Sequence, residues 1–231
     1  MPTHLVTGAG SGIGRSVADR LHARGDDLVL IARSEDRADA LRARWPGATT
    51  IVCDLVAPVL VDDTTGALPD RLDSVIMSAG VVDLAPVADL GLGSLSAQLN
   101  VNLVSPMVLT RLLLPAVRRA RGLFVYVNSS AGLSASADWS AYAASKFGLR
   151  AFADSLRAEE VDHGVRVTSV FPSRTATPMQ ERVHAQEGRT YDASRWISPD
   201  TVADTILHVL DLPGDATIPE VTVRPVVPRA T

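Results

Sequence analysis

Thr7-Gly8-Ala9-Gly10-Ser11-Gly12-Ile13-Gly14 follows a short apolar run, His4-Leu5-Val6-Thr7, and leads into helical spacing near residues 13–24. Glycines let a chain turn tightly and bring its backbone close to a pyrophosphate. A helix N-terminus adds N–H groups and partial positive charge. A glycine-rich turn alone is a weak signal; its place between a strand and a helix gives it weight. The spacing is Gly-x3-Gly-x-Gly rather than the more common Gly-x-Gly-x2-Gly.

The rest of the chain follows the same alternation. Short apolar runs stand at 4–7, 28–32, 49–53, 73–78, 122–128, 165–171 and 218–224, with helical spacing near 13–24, 35–44, 95–119, 140–162 and 199–211. Strand–helix–strand alternation requires crossovers, and crossovers require a mainly parallel sheet. The expected fold is α/β: a single Rossmann-type, doubly wound domain over 1–231, with a mainly parallel seven-stranded sheet and helices on both faces. Ligands of such sheets sit beyond the carboxyl ends of the strands, where the strand order reverses. Around 172–198, Pro172, Pro178, Gly188 and Pro199 mark the longest stretch outside the sheet. Residues 174–197 are expected to form a substrate lid, mobile without ligand.

Composition narrows the class. A chain of 231 residues can bury roughly 70–75% of its unfolded surface without staples. Its apolar content of 46% suits that core, and 21% charged residues argues against disorder. A net charge of −4 leaves no basic footprint for nucleic acid. Cys53 is alone, ending the apolar run Thr50-Ile51-Val52-Cys53, and reads as a small buried hydrophobe. The histidines (His4, His22, His163, His184, His208) are scattered without ligand spacing, so no metal is expected. No apolar stretch reaching 18 residues and no leader pattern stand out, so neither a membrane span nor export is expected. The expected setting is cytoplasmic. No Gly-x-Ser-x-Gly occurs, which removes the nucleophile-elbow hydrolases.

The second group of residues carries chemistry. Tyr142 and Lys146 stand four apart on the helix near 140–162, and so share one face. A tyrosine at its ordinary pKa of about 10 is a poor acid or base at neutral pH. A nearby ammonium favours the phenolate. Tuned in this way, a tyrosine passes a proton to a carbonyl oxygen, or takes one back. Ser129 lies thirteen residues earlier, at a strand's carboxyl end, where its hydroxyl can polarise the same oxygen. Ser130 is the rival for that place. Tyr-x3-Lys by itself is close to noise; the serine pair, the small-residue helix start and the glycine turn set it apart.

Together these residues resemble the short-chain dehydrogenase/reductase family over essentially the whole chain. The resemblance rests on Thr7-Gly8-x3-Gly12-x-Gly14, Asp54, Ala79-Gly80, Asn102, Ser129, Tyr142-x3-Lys146 and Pro172. It implies an enzyme moving a hydride between nicotinamide and a small carbonyl or alcohol. Tyr142 would be the proton donor or acceptor, and Lys146 would bind the nicotinamide ribose and lower the Tyr pKa. Ser129 would hold the substrate oxygen, and Asn102 would anchor a water linking Lys146 to bulk. Gly8, Ser11, Gly12 and Ile13 would meet the pyrophosphate, and Asp54 and Leu55 the adenine end. Ala79, Gly80, Pro172, Thr175 and Thr177 would complete the cofactor site. The family's habit of pairing its two longest central helices, here 95–119 and 140–162, implies a homodimer or homotetramer.

Two motifs depart from the family pattern. Met77-Ser78-Ala79-Gly80 replaces Asn-Asn-Ala-Gly, and Pro172-Ser173 replaces Pro-Gly. If position 173 needs positive φ, Ser173 is strained by of order 1 kcal/mol. The second strand ends Leu30-Ile31-Ala32-Arg33. No carboxylate there holds ribose hydroxyls, whereas Arg33 offers a fork for a 2′-phosphate. NADP(H) is therefore expected over NAD(H), with Arg15 a lesser helper and a solvated Arg33 pairing with Glu35 or Asp36 the competing reading. The substrate cavity is expected between 81–87, 131–139 and the 174–197 loop, walled by Val81, Val82, Leu84, Leu133, Trp139 and Met179. Arg174, Arg182, Arg189 and Arg195 are either anion traps or solvated loop cations. The alternative function is a non-catalytic NADP(H)-binding sensor on the same fold.

Overall fold

A computed structural model describes residues 1–58 and 68–226. Seven parallel strands form one sheet in the order β3-β2-β1-β4-β5-β6-β7. They are β1 (Thr3–Thr7), β2 (Asp27–Ala32), β3 (Thr49–Val52), β4 (Ser74–Met77), β5 (Leu123–Val127), β6 (Arg166–Pro172) and β7 (Glu220–Val223). Helices α1 (Gly12–Ala23), α2 (Glu35–Arg44), α3 (Leu92–Leu99), α4 (Ser105–Ala120), α5 (Ser140–Glu159), α6 (Pro178–Gln186) and α7 (Pro199–Leu210) join them. The strand order reverses between β1 and β4, which opens a crevice at their carboxyl ends.

Both faces of the sheet are buried, which explains why its strands read as nearly continuous apolar runs. Side chains alternate faces along each strand. Leu5, Val29, Ile31, Val75, Met77, Phe124 and Tyr126 pack with Leu109, Leu113 and Val117 of α4 and Leu149, Ala153 and Leu156 of α5. On the opposite face Val6, Leu28, Leu30, Ile76, Val125 and Val170 meet Val17 and Leu21 of α1, Leu41 of α2 and Val202, Ala203 and Ile206 of α7. Cys53 is buried in the first of these cores, and burial raises its thiol pKa, as suits an inert hydrophobe.

Three expectations need correction. The single helix predicted over 95–119 is α3 and α4 joined by a π-helical turn at Asn100–Val104. The extra residue in that turn rotates Asn102 out of register, a common device at functional sites. The run Leu92–Ala120 is also long and apolar enough by composition to cross a bilayer, with mean hydropathy 1.3 over its best window. Half of that window is buried in the fold. Finally, the stretch 172–198 is not all loop. Thr177 accepts a hydrogen bond from the Gln180 N–H at 3.2 Å and Pro178 takes the first turn, so α6 starts as a capped helix. A parallel bridge between Thr175 and Ile197 closes the base of the segment.

Glycines in the first turn are not equivalent. A Cβ at Gly14 would stand 2.5 Å from the Gly8 carbonyl oxygen, whereas one at Gly10 would meet nothing within 4 Å. Gly14→Ala is therefore expected to cost at least 1–3 kcal/mol, the range for overpacking against a backbone that cannot move. Gly10→Ala should stay within about 0.5 kcal/mol of the native protein. Urea unfolding of the two variants measures the contrast, and equal midpoints would contradict it.

Candidate active site

Strand ends and helix starts bring most of the sequence candidates, though not Arg33, Asp54, Leu55 or Asn102, to one cavity of about 420 Å³. Its wall includes Gly8, Ser11, Gly12 and Ile13 from the first turn, Ala79 and Gly80 beyond β4, and Ser129, Tyr142 and Lys146. Pro172, Thr175 and Thr177 close the side beyond β6. Gly8 (φ +72°) and Gly12 (φ +54°) take left-handed conformations that favour glycine. A Cβ at Gly8 would also lie 2.8 Å from the Ala79 nitrogen, and one at Gly12 would lie 2.9 Å from Thr177 Cγ2. The turn is thus packed against β4 on one side and against the α6 cap on the other. Ser11 is the N-cap residue of α1, yet its hydroxyl makes no capping bond and stays available. Thr7 Oγ1 accepts from both the Ser78 and Ala79 N–H groups at 3.0 Å, tying the two strand ends together.

Tyr142 and Lys146 sit one turn apart on α5 and are both buried. Lys146 Nζ donates to the Val127 carbonyl at 3.0 Å and lies 5.8 Å from the centre of the Tyr142 ring. Burial lowers the lysine pKa to about 8. Burial raises the Tyr142 pKa above its ordinary value, and a hydrogen bond with Ser129 draws it partway back. The ligand-free site thus holds a protonated phenol beside a softened ammonium. Ser129 Oγ also accepts from the Ala131 N–H at 3.1 Å, which orients the hydroxyl.

Asn102 is aimed by the π-turn. Its Oδ1 accepts from Val81 N–H at 2.9 Å, while Nδ2 donates to the Val81 carbonyl at 2.8 Å and to Ser145 Oγ at 3.1 Å. Ser145 Oγ in turn donates to the Tyr142 carbonyl. The side chain stitches the segment at Val81 to α5. Asn128, which no sequence motif singles out, belongs to the site as well: its Nδ2 donates to the Lys146 carbonyl at 3.1 Å and its Oδ1 accepts from Ser129 N–H at 2.9 Å. Its place directly before Ser129 was the available signal.

The sequence matches the family model for short chain dehydrogenase over residues 2–188. The chain belongs to the short-chain dehydrogenases. An uncharacterised short-chain type dehydrogenase/reductase of Sinorhizobium fredii is 30% identical over 227 residues, covering 96% of this chain and 90% of that one. A metagenomic short-chain oxidoreductase solved in complex with NADP is 29% identical, covers 98% of each chain and superposes with a TM-score of 0.80. An alcohol dehydrogenase of the archaeon Thermococcus sibiricus, complexed with 5-hydroxy-NADP, shares the fold at TM-score 0.86 and 22% identity, covering 100% of this chain and 99% of that one.

Within this short-chain dehydrogenase, Ser173 is not among the non-glycine residues with positive φ, so the strain considered for it does not arise. Its N–H donates to the Val223 carbonyl at 2.9 Å. Thr175 Oγ1 donates to the Ser173 carbonyl at 2.9 Å. Of the expected apolar wall, Val82, Trp139 and Met179 line the cavity, while Val81 packs against the core and Leu84 and Leu133 lie outside the lining. Arg174 lines the cavity but is bound by Glu187, with Nη1 and Nη2 at 2.8 and 2.5 Å, so it is not a free anion trap. Arg182 also lines the cavity and has no carboxylate partner among the described residues. Arg33, Asp54 and Leu55 lie outside the cavity lining, on the β1–β3 side of the crevice. Arg33 is exposed; Glu35 pairs instead with Arg42, and no ion pair engages Arg33 among the described residues. Asp54 Oδ1 accepts from Val56 N–H at 3.0 Å, and the Leu55 carbonyl accepts from Ser105 Oγ at 2.7 Å.

Proposed function

We propose that the protein moves a hydride between NADP(H) and a small carbonyl or alcohol substrate, with Tyr142 exchanging the proton. The observation that carries this reading is the convergence of Ser129, Tyr142 and Lys146 on the cavity that the Gly8–Gly12 turn also lines. The residues suit a dinucleotide: a glycine cradle that Cβ atoms would fill, an uncapped α1 N-terminus, and a buried lysine without a carboxylate partner among the described residues. Bound nicotinamide supplies or accepts the hydride. Gly8, Ser11, Gly12 and Ile13 take the pyrophosphate, and Lys146 the nicotinamide ribose. Asp54 and Leu55 take the adenine end; Ala79, Gly80, Pro172, Thr175 and Thr177 complete the site.

Tyr142 donates its proton to the substrate oxygen during reduction and removes it during oxidation, while Ser129 donates a hydrogen bond to the same oxygen. Asn102 acts on this chemistry by holding the Val81 loop and Ser145. Residues 174–197 form the substrate lid, with α6 as its rigid part. Half-exposed Met107 on α4 and Phe147 on α5 support a homodimer or homotetramer packed through these two helices.

Rates of NADPH oxidation with a panel of aldehydes, ketones, quinones and 2-oxo acids test the reaction class; no turnover on any probe would overturn it. The cofactor choice has its own test. Arg33 stands where β2 ends without a carboxylate, and a charge-assisted bond to a 2′-phosphate is worth roughly 1.5–3 kcal/mol. Arg33→Ala should weaken NADPH about ten- to hundredfold and leave NADH nearly unchanged. Adding Ala32→Asp should invert the preference, by offering a ribose acceptor and repelling phosphate. Native protein binding NADH as tightly as NADPH would contradict the assignment.

A further inference from the structure

Arg174 follows β6 by two residues and is neutralised, yet it lines the cavity. Its guanidinium makes a two-bond pair with the Glu187 carboxylate, at 2.5 and 2.8 Å, and both side chains are largely covered. The same guanidinium lies over two indoles, 5.8 Å from the Trp139 ring centre and 5.7 Å from that of Trp196. Trp139 is the residue that opens α5, and its ring meets the Tyr142 ring edge-on at 5.7 Å. Trp196 meets His184 of α6 at 5.0 Å, and Glu187 caps the end of α6. The neighbouring Gln186 grips the opposite rim, with Nε2 donating to Asp83 at 2.6 Å and Oε1 accepting from Leu84 N–H at 3.3 Å. One planar cation thus joins the end of β6, the start of the catalytic helix, the end of α6 and the segment before α7.

We propose that Arg174 is a positioning residue: stacked on Trp139 and paired with Glu187, it holds the indole against Tyr142 and fixes the wall that meets the carbonyl substrate. The proposal rests on the oxidoreductase reading of the site. A bidentate, stacked arginine has properties that lysine lacks: a flat delocalised cation and a fork matched to one carboxylate. A simple charge pair would survive Arg174→Lys, whereas this clamp does not. Substrate-side contacts should suffer while the glycine turn, which Arg174 does not touch, keeps its hold on the cofactor.

The experiment compares native protein, Arg174→Met, Arg174→Lys, Trp139→Phe and the Arg174→Met/Trp139→Phe double variant. Benzaldehyde is the carbonyl probe, NADPH binding is followed by fluorescence, and the indoles by near-ultraviolet circular dichroism. Expected are an at least tenfold loss of kcat/KM in Arg174→Met, little rescue by lysine, and an NADPH dissociation constant within about twofold of native. The double variant should be no slower than the worse single one, because both substitutions remove the same contact. Full rescue by lysine, or additive losses, would overturn the proposal. Absence of turnover by native protein on every carbonyl would strike the oxidoreductase reading itself. In that event an indole dichroism signal unchanged in Arg174→Met would still overturn the clamp, and its loss would support it.

Discussion

Tyr142→Phe is expected to lower turnover by 10²–10⁴-fold while leaving the NADPH dissociation constant nearly unchanged, the range set by removal of a general acid–base. Phenylalanine keeps the ring, and with it the edge-on contact to Trp139 and the position over Lys146. Only the hydroxyl bonded to Ser129 is lost. Because burial holds the phenol above its ordinary pKa in the ligand-free protein, the native rate should depend on which state of the bound site is populated. In the carbonyl-reducing direction the hydroxyl must be protonated, so rates should fall as pH rises through the Tyr142 pKa of the bound complex. In the alcohol-oxidising direction they should rise instead. Steady-state rates in both directions, alongside fluorescence titration with NADPH, measure all of this. A variant retaining more than about a tenth of native activity would remove Tyr142 from proton transfer.

The second large effect concerns Lys146, whose burial without a carboxylate partner makes it costly to the fold. Its pKa of about 8 in the folded chain lies below the 10.5 of a free side chain. Below pH 8 both states are protonated, and the native state bears the full penalty. Between about pH 8 and 10.5 the unfolded chain holds more protons than the folded one, so stability rises with pH. The full span is worth roughly 3 kcal/mol. Lys146→Met removes the buried charge and leaves the Val127 carbonyl without its partner, which returns about 1 kcal/mol of that. The variant should therefore be more stable than native at pH 7 by about 1–2 kcal/mol, and this lead should shrink or reverse by pH 10. Its turnover should fall by at least about a hundredfold, since the residue proposed to hold the ribose and tune the phenol is gone. Urea midpoints at pH 7 and pH 10 give the stability arm. A lead that stays constant with pH would show that Lys146 is not the titrating group.

These two effects belong together. A lysine whose burial costs more than its local hydrogen bond to Val127 returns is the behaviour expected of a residue kept for function. Asn128, Asn102 and Ser145 spend their hydrogen bonds holding the backbone around it. The backbone around Lys146 is therefore held by amide and hydroxyl groups rather than by charges.

What the sequence determined alone was whatever depends on local repetition. Runs such as Leu28–Ala32 and Leu123–Asn128 alternate with helical spacing, and that pattern demands a parallel sheet however distant parts pack. The glycine turn and Tyr142-x3-Lys146 were legible for the same reason, since each is a fixed spacing within one turn or one helix. Tertiary structure decided the rest. The π-turn carries Asn102 to its bonds with Val81, some twenty residues earlier, and no periodicity in 95–119 announces it. Ser173 escapes strain because its N–H joins β7, fifty residues on. Arg174 reads as a loop cation until Glu187 cancels its charge and it comes to lie over the rings of Trp139 and Trp196. Local pattern selects the elements, but a charge's meaning depends on which distant partners desolvate and neutralise it, and only the folded chain brings those partners within reach.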